Sequence, residues 1–274
     1  FATDDGISIQ HKSDFRWKHV LKSTVIVDLC KSENGNMWAG TYGDGLYYID
    51  KDGCVIRHFT RNTDDLTTNY IFSLKEDADG DLWVGGLDGN LIVVNKQGKR
   101  KGEFKVNWVH SIEEVDSGKM AVATVNGFFI AEKNNFKVSR YATTREFNNK
   151  NISAYIVSML FNGDETVWLG TEGGGLNLYN INSGDVRTIT TNDGLLSDDI
   201  YSLLRDMRGR IWASTGKGLA VVNGLQVSNL NYMHDTDKTY NKSACAKLSD
   251  GRFAYGSTDG AVFITPDAMD IEAY

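Results

Sequence analysis

One pattern recurs six times along this 274-residue chain, and it leaves few folds open. The four clear copies are "MWAGTYGDGLYYI" from Met37, "LWVGGLDGNLIVV" from Leu82, "VWLGTEGGGLNLY" from Val167 and "IWASTGKGLAVV" from Ile211. Each sets a tryptophan in an apolar run, then a glycine-bearing turn, then a second apolar run. Two degraded copies, "MAVATVNGFFIA" from Met120 and "FAYGSTDGAVFI" from Phe253, put alanine in the tryptophan slot. The slot therefore holds Trp38, Trp83, Ala121, Trp168, Trp212 and Ala254, at intervals of 45, 38, 47, 44 and 42 residues. A period of that length marks stacked supersecondary units and lies in the range of propeller blades.

The rest of each copy has a fixed grammar. A short apolar strand such as "IFSL" (71–74), "IVSM" (156–159) or "IYSL" (200–203) comes first, and a polar turn such as "EDADGD" or "RDMRGR" leads into the slot strand. The glycine turn is the hairpin to a third strand, because glycine enters φ > 0 without a Cβ clash. A more variable fourth strand, as in "CVIRHFT" or "DVRTITT", completes the unit. Four short strands cannot bury both faces alone, and stacking copies buries them continuously. The slot tryptophan supplies much of the apolar area between neighbours. Two residues after it stand Gly40, Gly85, Ala123, Gly170, Ser214 and Gly256, all small, as expected where another backbone passes closely.

The expected fold is all-β, a propeller of four-stranded antiparallel blades. "ATDDGISI" at the start matches "STDGAVFI" from the hairpin onward, so the chain opens inside a seventh copy. Gly6, Gly45, Gly89, Gly127, Gly175, Gly218 and Gly260 are then seven hairpin glycines. Seven blades, one of them incomplete, is the expectation, and six blades with residues 1–20 joining the last copy is the alternative. The one proline is Pro266 and no low-complexity linker interrupts the repeats, so residues 1–274 are expected to form one domain. The absence of an initiator methionine suggests a piece excised from a longer protein.

A formal charge of −7 and a pI near 5.3 set the overall field against nucleic acid and anionic membrane. No apolar run approaches the ~20 residues of a membrane span. Cys30, Cys54 and Cys245 lack metal-ligand spacing and are expected to be buried free thiols. A Cys30–Cys245 bridge requires their strands to be neighbours. "DADGDLW" (77–83) has some character of a calcium loop but lacks its full spacing and distal glutamate, so it reads as a hairpin turn. His11, His19, His58, His110 and His234 form no metal or catalytic pattern, and no nucleophile elbow or phosphate loop occurs. No catalytic residue, cofactor or metal is assigned to this chain.

The segments "IYSLLRDMRGRIWASTGKGLAVVN" and "IVSMLFNGDETVWLGTEGGGLNLYNINSGDVRTITTNDGLLSDD" resemble the two-component regulator propeller repeat in their hydrophobic-Trp-x-Gly-Thr hairpin and their "NDGL" loop. Ala121 and Ala254 depart from that pattern. The resemblance implies the periplasmic sensor region of a Bacteroides-type hybrid two-component system. In that family two propellers precede an immunoglobulin-like domain, a membrane helix and a histidine kinase. The closing "GAVFITPDAMDI" is similar to the end of the second propeller. Implied with it are an oligosaccharide ligand derived from glycan breakdown, neighbouring propeller and immunoglobulin-like domains as partners, and a membrane-anchored dimeric full-length protein.

Aligned first strands give one position just before the apolar run, occupied by Val25, Tyr70, Trp108, Tyr155, Asp199 and Ala244. It lies where the preceding loop enters the innermost strand, so these side chains are expected at the mouth of the channel. The candidate ligand-binding set is Tyr70, Trp108 and Tyr155 with the polar neighbours His110, Arg145, Asp198 and Tyr201. Rings stack on sugar C–H faces while polar groups meet hydroxyls. Packing competes with this reading, because strict alternation puts Tyr70, Phe72 and Leu74 on one strand face and Trp108, His110 and Ile112 on another. A second recurring position holds Asp28, Ser73, Ser111, Ser158, Ser202 and Lys247. Three functions remain open: a ligand-sensing module, a protein-interaction scaffold without a small-molecule site, and a polysaccharide-degrading enzyme on the same fold.

Overall fold

Seven antiparallel sheets follow one another along the chain, and each is a meander whose strands pair in chain order. The computed structural model describes residues 1–10, 16–143, 147, 153–163, 165–230, 239–258 and 260–268. The innermost strands of the second to seventh sheets are Ile26–Lys31, Ile71–Glu76, Val109–Asp116, Ile156–Phe161, Ile200–Arg205 and Tyr240–Lys247. The first sheet, Ala2–Thr3, Gly6–Gln10 and Trp17–Val20, is the remainder of a blade entered at its second strand. Helix among the described residues is confined to Phe147 and two short 3-10 turns, Thr191–Asp193 and Pro266–Ala268. The protein is a seven-bladed, all-β propeller. Among the described residues five blades have four strands, and two rather than one, the first and the last, have three. The chain divides into two compact units, Phe1–Val122 with Ile130–Ser139 and Ala123–Phe129 with Arg140–Tyr274.

All seven hairpin glycines take positive φ, from 70° at Gly175 to 132° at Gly260. At Gly45 a Cβ would stand 2.2 Å from the Phe59 carbonyl oxygen, so conformation and space both demand glycine there. The four slot tryptophans are buried, with at most 5% exposure. Each faces the next blade: Trp38 packs with Ile71, Leu74 and Val84, and Trp168 with Ile200, Leu203 and Ala213. The small residue two places on is crowded by a side chain rather than a backbone. A Cβ on Gly40 would meet Ile71 at 2.7 Å, and one on Gly170 would meet Ile200 at 2.7 Å.

The indole N–H is a buried donor and needs an acceptor. Trp83 donates to Asp77 at 2.9 Å and Trp212 to Asp206 at 2.8 Å, each six residues upstream. The other Asp77 oxygen accepts the backbone N–H groups of Asp79 and Asp81, so "DADGDLW" is a turn closed on its own first carboxylate. Lys133 bridges Asp79 at 2.8 Å and Glu114 at 2.7 Å over the same turn. Trp38, with Ser32 upstream, donates instead to Glu76 of the third blade at 2.6 Å.

Phe253 does not fill the empty slot at Ala254: neighbouring strand residues point to opposite faces, and Phe253 packs edge-on against Trp212 of the preceding blade at 5.8 Å. The residue paired with Ala254 is Phe263, 45% exposed. One sequence expectation changes, that all three cysteines are buried. Cys54 is exposed, while Cys30 and Cys245 are half-buried free thiols. Burial pushes the Cys30 thiol up to about 11, and its sulfur accepts the Glu76 N–H.

Candidate ligand-binding surfaces

A bulge in the first strands of the second, third, fifth, sixth and seventh blades shapes the candidate sites. Ile71 pairs with Gly86 and Ser73 with the adjacent Gly85, so Phe72 is extra, and the same shift leaves Val27, Val157 and Tyr201 unpaired in their blades. A bulge reverses the alternation beyond it and re-aims the inserted side chain. Tyr70 and Leu74 consequently fall on opposite faces: Leu74 is buried and Tyr70 is 40% exposed. That is why packing does not claim the aromatic position.

In the first unit the result is a continuous surface of rings. Tyr42 meets Tyr70 edge-on at 5.0 Å and Phe72 at 6.0 Å, and Phe72 stacks on Trp108 at 6.1 Å with 19° between planes. Tyr42 is 54% and Trp108 46% exposed, while Phe72 is half-buried. Gly43, in the second-blade hairpin, leaves room for the Tyr70 ring, which a Cβ there would approach to 3.2 Å. His110 is half-buried on the strand that follows Trp108. The loop before Tyr70 is held by Leu66, which is buried, and by Asn69, whose side chain accepts the Arg61 N–H at 2.7 Å.

In the second unit a lysine organises the corresponding position. Lys242 donates to Glu172 at 2.7 Å and lies 5.3 Å from the Tyr155 ring centroid. Burial pushes the Lys242 ammonium down, but the Glu172 carboxylate outweighs it and holds the group above its ordinary value. Tyr201 is pushed up by burial and by Asp199, against the opposing pull of Lys242. Asp199 accepts the Gly173 N–H at 2.8 Å, which fixes the glycine hairpin beside this cluster. Asp198 closes its own loop, accepting Thr191 N–H at 2.7 Å and Thr191 Oγ1–H at 3.2 Å. Arg145 lies outside the described residues, as do His11 and His234.

Sequence alignment missed Lys242 because the last first strand carries a longer bulge. Tyr240 pairs with Ser257 and Cys245 with Tyr255, which inserts Asn241, Lys242 and Ser243 where other blades insert one residue. The position before the apolar run is therefore Thr239, whose carbonyl accepts the Thr258 N–H as that of Tyr70 accepts Leu87 and that of Tyr155 accepts Glu172. Ala244 moves to the second recurring position, against Gly256, and Lys247 pairs with Phe253. Tyr42 and Phe72 were also missed. The visible signal was the spacing of three between buried residues, Ile71 to Leu74 and Ile200 to Leu203, which an unbulged strand does not give.

The family model described as "Two component regulator propeller" matches residues 20–43, 65–88 and 194–217, each running from a loop through the bulged first strand to the tryptophan hairpin. Three stretches of the chain thus match the two-component regulator propeller repeat. Over 296 aligned residues the repeat array is 23% identical to Histidine kinase P4 of Formosa agariphila, covering 100% of this chain and 21% of that protein. It matches the extracellular domain of the hybrid two component system BT3049 from B. thetaiotaomicron with a TM-score of 0.71 and 20% identity, over 89% of this chain and 39% of that one. The WD40 propeller of Doa1 gives a TM-score of 0.74 at 16% identity, over 96% and 86% of the two chains. At these identities the solved structures bear on the fold. The chain spans about a fifth of the kinase. No helix among the described residues is long and apolar enough to cross a membrane.

Proposed function

We infer that this chain is the ligand-sensing propeller of a hybrid two-component receptor, itself without catalytic chemistry, and that it takes oligosaccharides released by glycan breakdown. The observation that carries the reading is the strip of Tyr42, Tyr70, Phe72 and Trp108, three of whose rings are at least 40% exposed and successive in contact. Sugar rings stack on such surfaces, and their hydroxyls require the polar rim that Asn69 and His110 supply nearby. The match to a histidine kinase over the whole of this chain supports a receptor of which this propeller is one domain. In that receptor the propeller lies in the periplasm beside a second propeller and an immunoglobulin-like domain, above a membrane-anchored dimeric kinase.

Calorimetric titration of this chain and of the whole sensor region against oligosaccharides of defined linkage tests the reading. Trp108→Ala and Tyr70→Ala should each weaken binding by about 5- to 150-fold, on the scale of 1–3 kcal/mol for a stacked ring, with melting temperature nearly unchanged. Binding that survives both substitutions would remove the strip as the site. Absence of binding to every oligosaccharide by both proteins would remove glycan sensing altogether.

A further inference from the structure

The fifth and sixth blades form a half-open cleft of about 260 Å³ at the end of the first strand remote from Tyr155. Its polar lining is Asn162, Trp168 and Arg187, and its apolar wall includes Leu178, Ile211 and Val222. Register places three of these in one row: Trp168 pairs with Leu178, and Leu178 pairs with Arg187. They therefore share the face that meets the sixth blade.

The same corner is filled beside the other slot tryptophans. Tyr48 lies on Trp38 at 4.2 Å, Phe136 is 6.5 Å from Trp83, and the Arg210 guanidinium stands over Trp212 at 5.6 Å. Their indole N–H groups also have carboxylate acceptors, Glu76, Asp77 and Asp206. Trp168 is covered by aliphatic side chains alone, and its indole N–H has no acceptor among the described residues. Arg187 likewise has no partner among them, whereas Arg57, at the matching position of the second blade, is held by Asp64 at 3.7 Å and lies over Phe59. No described residue lining the cleft is acidic. An indole donor, an unpaired guanidinium and an apolar wall around one void are complementary to an anion attached to an apolar body.

We propose that this cleft binds a small carboxylate with an apolar body, its carboxylate held by the Trp168 N–H and the Arg187 guanidinium and its body against Leu178, Ile211 and Val222. A void of ~150 Å³ takes benzene, so the space accepts a one-ring carboxylate. The site is separate from the aromatic strip and carries a different chemistry, so the receptor reads a second class of small molecule.

Phenylacetate, followed by calorimetry and by tryptophan fluorescence of the whole chain, is the probe. It should bind saturably, and phenylacetamide, the neutral isostere, should bind at least about tenfold more weakly, as for loss of a charge-assisted hydrogen bond. Arg187→Met, at an exposed position that leaves the core intact, should weaken phenylacetate by the same factor. Absence of saturable phenylacetate binding, or an affinity indifferent both to the amide and to Arg187→Met in a variant that melts like the wild type, overturns the proposal.

Discussion

Replacing Asp206 with alanine would strip the acceptor from four donors at once. Its carboxylate takes the Trp212 indole N–H at 2.8 Å, the Arg210 Nε–H at 2.6 Å, and the backbone N–H groups of Arg208 at 3.0 Å and Arg210 at 2.9 Å. The Asp206 side chain is fully buried and that of Arg210 is 6% exposed, so water cannot substitute. Arg210 keeps its bond to the Pro266 carbonyl and loses the Asp206 carboxylate. Breaking such a pair from one side costs about 3–5 kcal/mol. At ~2–4 °C per kcal/mol for chains of 150–250 residues, the melting temperature should fall by roughly 6–20 °C. Asp206→Asn keeps an acceptor and should lose less. Burial raises the Asp206 carboxyl, yet the bonds from Trp212 and Arg210 outweigh it and hold the group below its ordinary value. The native state thus binds the proton less readily than the unfolded chain. Its contribution is complete above the unfolded value near 4 and disappears as pH falls through the lower folded value. Urea unfolding of wild type and Asp206→Ala between pH 2.5 and 7, read by near-ultraviolet dichroism, checks both parts. A loss below about 1 kcal/mol at pH 7, or a gap between the curves that does not narrow in acid, would refute the reasoning.

Two further substitutions probe the interior of the repeats. Asp28, on the second-blade first strand, is pushed up to about 6 by burial despite bonds from the Leu74 and Leu29 N–H groups. The folded state therefore holds a proton that the unfolded chain has released, stability declines as pH rises from about 4 to about 6, and the decline is complete above that. Asp28→Asn should escape it, its advantage over wild type growing by about 1–3 kcal/mol across that window in urea titrations, and parallel curves would contradict the assignment. Gly170→Ala would set a Cβ 2.4 Å from Ser158 Oγ and 2.7 Å from Ile200, and should lower the urea midpoint by an amount equivalent to about 1–3 kcal/mol. An unchanged midpoint would show that the fifth and sixth blades are not packed as tightly as this.

The slot period and the hairpin glycines made the blade legible, because both are fixed by backbone constraints that act within a few residues. Gly6 to Gly260 all take the positive φ that their place in the pattern demanded. What the pattern hid was the insertion in the first strands of the second, third, fifth, sixth and seventh blades. Alternation is a rule for unbroken pairing, and one extra residue reverses it, so Tyr70 and Leu74 separated onto different faces. The three-residue bulge of the last blade put Thr239 rather than Ala244 before the apolar run and concealed Lys242, whose reach to Glu172 joins positions 70 residues apart. Tyr42 follows a hairpin strand of the second blade, and its approach to Tyr70 of the third is a tertiary contact that no local rule reports.

The residue six places before the slot explains why the repeat has an aspartate and when it loses it. Ser32, Asp77, Asn162, Asp206 and Leu248 stand there, and each donates its backbone N–H to the carbonyl four residues on, at 2.8 to 3.1 Å. The same turn forms whether the side chain is a carboxylate or leucine, so turn geometry does not select aspartate. The indole does. Where aspartate stands upstream, at Asp77 and Asp206, the tryptophan N–H is bonded to it. Where the slot is alanine, at 121 and 254, the upstream residues are Val115 and Leu248, and no buried indole donor is present to satisfy. Ser32 is the exception that supports the rule, since Trp38 finds its carboxylate in Glu76 of the next blade, which also accepts the Ser32 hydroxyl at 2.7 Å. Only Trp168, behind Asn162, is left facing a cleft. A repeat that loses its aspartate can thus relocate the acceptor or drop the tryptophan, and the fifth blade, having done neither, keeps an indole donor available to a ligand.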